Sequence, residues 1–207
     1  MNATAQQLSS QNTPAVDQAA FQELFDQRFD ERMAQIEADH IPSMSIISTK
    51  GTLDMAYPPF ILAATAAALG WDVSIFFTFY GLKLLKKELD LEISPLGNPA
   101  MPMKMPLGPE WLQNMEIKIP NLVMAGVPGF EKMATGMMKK SLSNKGVASI
   151  EELRSLCLEA DVKLVACQMT VDLFNMEQDE FIPEISGWIG AASFLPTAQK
   201  SDVTLFV

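Results

Sequence analysis

The sequence predicts an α/β domain built on a parallel sheet, preceded by a separate acidic helix. Three observations carry this. Short apolar runs of strand character at 44–48, 72–79 and 161–167 alternate with helical stretches, the order that feeds a parallel sheet. At 207 residues, 48% of them hydrophobic, the chain can bury one sizeable core. Residues 1–40 carry seven acids and two arginines, net −5, half of the chain's −10, which sets them apart from 41–207.

The N-terminal unit opens with a polar stretch, "MNATAQQLSSQNTP". From Asp17 onward Phe21, Leu24, Phe25, Phe29, Met33 and Ile36 recur near helical spacing. A sister subunit or the chain's own domain is the expected cover for that stripe; docking on another protein is the sharper alternative. The main domain then starts with "MSIIS" (44–48) as a strand. "TKGTLDMAYPP" reads as a loop, 59–69 as an Ala-rich helix and "DVSIFFTF" (72–79) as a buried strand. "GLKLLKKEL" (81–89) has amphipathic helical spacing. Apolar residues run almost unbroken from Tyr57 to Leu82, long enough for a membrane span. The "LGWD" turn at 69–72 divides that run, so helix, turn and strand are expected, and membrane association is not favoured.

Residues 95–120 break the rhythm, because five prolines between 95 and 109 exclude a regular helix or a central strand. Loops of that length in compact domains are commonly functional or mobile. Residues 121–127 fit neither helix nor strand well. "PGFEKMATGMMKKSLSNKG" reads as a helix, and 149–160 as another, with Ser149 and Glu152 spaced as a capping box. "DVKLVAC" is a strand and "QMTVDLF" a short helix. "ISGWIGAASFLPTAQ" adds helix and "DVTLFV" closes with a strand.

Composition excludes several functions. A net charge of −10 argues against nucleic-acid binding and against docking on anionic lipid. Two cysteines make no disulfide framework, and no positively charged, then apolar, N-terminal stretch signals export; a reducing cytoplasm is expected. His40 is the one histidine and sits beside Pro42, which leaves no Cys/His pair and no zinc set. Eight of the 14 methionines lie between 101 and 138. Without Cys or His co-ligands they favour a lid or partner surface over a Cu(I) site. "STKGTLD" is a weak phosphate-loop signal.

The chemistry concentrates on "KLVACQMTVDLF" (163–174). Cys167 stands where a strand passes into a helix, the edge at which parallel sheets bind ligands. Helix N-termini favour thiolate, the nucleophilic form. Lys50 and Gly51 follow the first strand and should open on the same edge, the lysine to hold a thiolate or persulfide anion, the glycine to let backbone N–H groups approach it. The alternative is that Cys167 is a small buried hydrophobe. Cys157 shares a helix face with Ile150, Leu153 and Ala160 and reads as core. A five-residue strand holds the two cysteines roughly 15 Å apart, too far for a dithiol pair without unwinding.

Three stretches, "STKGTLDMAYPPFILAATAAALGWDVSIFFTFYGL", "PNLVMAGVPGFEKMATGMMKK" and "LRSLCLEADVKLVACQMTVDLF", resemble the DsrE/DsrF-like sulfur-carrier family, in its larger DsrE-like branch once labelled peroxiredoxin-like. The resemblance covers most of 43–207 and implies a three-layer parallel-sheet domain. It implies that Cys167 carries sulfane sulfur as a persulfide for a partner protein, with Cys157 as a second cysteine. It also implies sulfurtransferase-type donors and acceptors (rhodanese-like or TusA-like), assembly as homo- or hetero-oligomers with a homo-oligomer expected here, membrane association in some relatives, and no metal or organic cofactor. Asn175 departs from the pattern, which has glycine there, but asparagine tolerates the same left-handed turn. The acidic helix lies outside the family core. The competing expectation is a scaffold or regulatory subunit that uses its acidic helix and Met-rich loop for contacts.

Overall fold

The computed structural model describes residues 17–94, 103–104, 116–117 and 129–207. The chain forms two units, Met1–His40 and Ile41–Val207. In the first, helix α1 (Gln18–Asp39) is capped by Asp17, whose carboxylate accepts the N–H groups of Ala19 and Ala20. None of the helix's residues is buried. Phe25 and Phe29 stack one turn apart, with ring centroids at 6.3 Å.

The second unit carries a five-stranded parallel sheet. Its strands are β1 (Ser43–Ser48), β2 (Asp72–Phe77), β5 (Lys163–Cys167), β6 (Gly187–Ile189) and β7 (Val203–Phe206), in the order β6-β5-β2-β1-β7. Strands β3 (Met103–Lys104) and β4 (Glu116–Ile117) form a separate antiparallel pair. It falls inside the proline-rich stretch and needs only two residues per strand, neither a proline. The other expectations for 95–128, including the Met-rich lid, lie outside the described residues.

The central strand β2 is buried from Val73 to Phe77 on both faces, as the β-branched and aromatic run requires. Side chains along β2 and its neighbours alternate between the two faces. Ile46, Ile75, Leu164 and Ala166 point into the main core, under α2 (Leu53–Ala68) and α4 (Ile150–Glu159). Phe76, Val165 and Cys167 point to the other face, where α6 (Ala191–Lys200) covers them with Phe194 and Ala198. Helices on both faces of a parallel sheet give the three-layer α/β architecture. Helix α3 (Phe130–Asn144) precedes α4, and α5 (Gln168–Leu173) follows β5. Ser149 and Glu152 make the reciprocal capping box at the start of α4.

Three elements differ from the sequence expectation. Helix α2 begins at Leu53, six residues before the expected start, and contains Pro58 and Pro59. Those prolines remove two N–H donors from the helix, but Leu53, Ala56 and Pro59 are buried on the sheet, and that burial outweighs the loss. In place of the helix expected over 81–89, a 3₁₀ helix spans Phe79–Leu85 and ends there. Gly81, Leu82, Leu84 and Leu85 are buried while Lys83 stays exposed, a pattern set by three-residue turns. Residues 187–189 form edge strand β6, and helix begins only at Ala191.

The long apolar run thus resolves into the end of α2, the turn at Gly70, strand β2 and the 3₁₀ helix. Among the described residues, no helix is long and apolar enough to cross a membrane.

Candidate functional site at the carboxyl edge of the sheet

Cys167 is the last residue of β5 and the N-cap of α5, and its side chain makes no capping hydrogen bond. Its register partner is Ile189 at the end of β6. The thiol is free and 1% exposed, in a small apolar cluster with Phe76, Val165, Phe194 and Ala198. The strand-to-helix position matches the geometry read from the sequence. The side chain, however, faces α6, and sulfur chemistry there requires that cover to open.

Lys50 and Gly51 line a cleft of about 740 Å³ at the same sheet edge, together with Phe79, Tyr80, Lys83 and Phe174. Cys167 does not line it. Gly51 has a packing role: a Cβ built there would collide with the carbonyl oxygen of Tyr80 and lie 3.2 Å from Lys83 Cβ. Gly81 is the counterpart, since its Cβ would collide with the carbonyl oxygen of Ser48. The loop after β1 and the 3₁₀ helix after β2 therefore interlock backbone against backbone, which only glycine permits.

The cleft wall is tied to the segment that Cys167 caps. Thr170, 1% exposed, shares a hydroxyl–hydroxyl bond with Thr78 at 3.1 Å and accepts the N–H of Phe79 at 3.4 Å. Phe79 holds φ at 49°, a left-handed conformation that costs a bulky residue on the order of 1–3 kcal/mol. Tyr80 and Phe174 stack across the cleft with centroids at 6.0 Å. Arg154 anchors the far end of the 3₁₀ helix by donating to the carbonyls of Leu84 (3.0 Å) and Lys86 (2.7 Å). Burial lowers the pKa of this guanidinium, and Glu151 and Glu184 oppose the shift. Lys86 pairs with Glu180 at 2.6 Å; that hydrogen bond holds the Glu180 carboxyl below its ordinary range.

Cys157 sits on the opposite side of the sheet, fully buried in the main core, with its thiol donating to the carbonyl of Phe60 at 3.5 Å. Burial pushes this thiol up from 9.0 to about 12, against a smaller opposing effect of a backbone hydrogen bond at Ala64. Both cysteines are free, and the sheet lies between them. The sign of the pH effect follows. In the unfolded chain the thiol ionises near its ordinary value, while in the fold it stays protonated. This thiol's contribution is therefore constant below pH 9 and is lost as pH rises toward 12, by up to about 1.4 kcal/mol per pH unit. Urea midpoints measured from pH 8 upward should show a steeper decline for the native chain than for Cys157→Ala. Equal slopes would mean that the thiol does not titrate differently in the two states.

Sequence reasoning missed Phe79, Tyr80, Lys83, Thr170, Phe174 and Arg154. The one available signal was "FFTFYGL", whose aromatic pair directly after a buried strand is odd for a solvated turn. Thr170 and Arg154 gave none, because their partners lie 92 and 70 residues away.

Comparison with known proteins fits this arrangement. A family model described as DsrE/DsrF/DrsH-like matches residues 40–206. The chain belongs to that family. Helix α1 lies outside the matched region. The DsrE/DsrF/DrsH-like domain is 57% identical over 164 residues to the "Sulfur carrier protein DsrE2" of Allochromatium vinosum, covering 79% of this chain and 97% of that protein. It is 30% identical over 164 residues to the "Uncharacterized protein YrkE" of Bacillus subtilis, covering 79% of this chain and 95% of that one.

Proposed function

We propose that the protein is a sulfur carrier in which Cys167 holds sulfane sulfur as a persulfide and passes it to a partner protein in the cytoplasm. The relative named a sulfur carrier, 57% identical over 97% of its length, carries this reading. The position of Cys167 at the end of β5 supports it. In the step, the Cys167 thiolate attacks the outer sulfur of a persulfide R–S–SH. The S–S bond of the donor breaks, R–S⁻ leaves with the bonding pair, and Cys167–S–SH remains. An acceptor thiolate then takes the outer sulfur in the same way and frees the Cys167 thiolate. Lys50, exposed at the same sheet edge, lines the neighbouring cleft and does not share a pocket with the thiol, so the expected pairing with the anion is not part of this step. Cys157, held protonated on the far side of the sheet, takes no part.

The burial of Cys167 at 1% favours a second reading, a binding or regulatory subunit in which both cysteines are inert core. Alkylation separates the two. A carrier's Cys167 reacts with iodoacetamide in the native state well before Cys157, because it must open to work. If both thiols react only on unfolding, the carrier reading fails.

A further inference from the structure

We propose that the cleft between Lys50, Lys83, Tyr80 and Phe174 binds a small organic anion with a flat apolar body. The inference rests on the cleft itself, so it stands or falls apart from Cys167.

Four observations converge on a ligand of that chemistry. At about 740 Å³ the cleft lies in the range of small-molecule sites and sits where parallel sheets bind ligands. Its walls are largely apolar, with Met55, Phe79 and Met176 beside the stacked Tyr80 and Phe174. Tyr80 is 70% and Phe79 48% exposed, which leaves ring faces open for stacking. Lys86 is neutralised by Glu180, and the Asp54 carboxylate, which accepts the N–H of Ser94 at 3.1 Å, offsets one of the two remaining lysines, so the lining is net positive. Lys50 and Lys83 have no ion pair or hydrogen bond among the described residues. In a chain of net charge −10, two unpaired lysines at one aromatic cleft select an anion.

The floor is also built to hold its shape. Gly51 and Gly81 interlock the two loops, and the Thr78–Thr170 pair fixes Phe79 in its left-handed backbone. A pre-formed cleft loses little entropy on binding.

The test uses the full chain and two fluorescent probes of similar shape, 8-anilinonaphthalene-1-sulfonate (anionic) and N-phenyl-1-naphthylamine (neutral). The native chain should bind the anion saturably, at one site per chain, with affinity that falls as salt rises. K50Q/K83Q should weaken the anionic probe about tenfold while holding the neutral one within about twofold. Tyr80→Ala should weaken both. Both lysines are exposed, so the double variant should keep the native melting temperature. Equal anion affinity in K50Q/K83Q, no effect of Tyr80→Ala, or no saturable site in the native chain would each overturn the proposal. Sulfur loading of Cys167 has no bearing on that outcome.

Discussion

Phe194→Ala is expected to uncover Cys167. Phe194 is 2% exposed and stacks on Phe76 with centroids at 4.7 Å and planes 13° apart. With Ala198 it forms the helix α6 side of the small cluster that encloses the thiol. Among the described residues, that side of the sheet has a cluster of five buried residues, three on strands and two on α6, whereas the α2/α4 side holds most of the core. Deleting the ring leaves a cavity directly over the sulfur. A buried Phe→Ala change costs about 3–5 kcal/mol, which lowers the melting temperature by roughly 6–20 °C in a domain of this size. The functional effect is selective. Native-state alkylation of Cys167 should rise at least about tenfold, since solvent reaches the thiol without global opening. Cys157, on the other side of the sheet, should speed up only as far as the lost global stability allows, and so clearly less than Cys167. A parallel rise at both thiols would report global unfolding, and an unchanged Cys167 would show that α6 is not its cover.

Gly81→Ala should be nearly as damaging, although it adds only a methyl group. The new Cβ meets the Ser48 carbonyl, which also accepts the N–H of Thr78 at 3.0 Å, and Thr49 N at 3.3 Å. Backbone cannot rotate away as a side chain can, so the 3₁₀ helix must shift off β1. Overpacking of this kind costs about 1–3 kcal/mol, with the upper end expected at a backbone clash. Because the 3₁₀ helix forms one wall of the cleft, the variant should also lose binding of the anionic probe. Substitution at Gly70 is the control: its φ of 84° is strained for alanine, yet no atom lies within 4 Å of the added Cβ. Gly70→Ala should cost stability and leave the cleft intact. Equal stability losses with an intact cleft in Gly81→Ala would refute the interlock.

Four of the sheet's five strands were legible in the sequence as short apolar runs between turns and helices, while edge strand β6, three residues long, read as helix. "DVSIFF" and "KLVAC" admit no other burial than two-sided. What the sequence concealed were the places where backbone meets backbone. Gly51 reads as a glycine that admits an anion; only the fold shows the Tyr80 carbonyl filling its missing Cβ. "GLKLLKKEL" has α-helical spacing, but close packing of Gly81 on Ser48 holds it as 3₁₀. The facing of Cys167 was equally hidden. Its strand alternates Leu164 and Ala166 with Val165 and Cys167, and sequence gives that alternation but not which face carries the fuller helix layer.

The central claim is that one sulfur atom, on Cys167, carries the cargo. Intact-mass spectrometry after brief incubation with inorganic polysulfide tests it most directly, with peptide mapping of the gain. The native chain and Cys157→Ala should each gain the mass of one sulfur atom on the peptide containing Cys167, and Cys167→Ser should gain none. Equal loading of Cys167→Ser and the native chain would contradict the assignment outright.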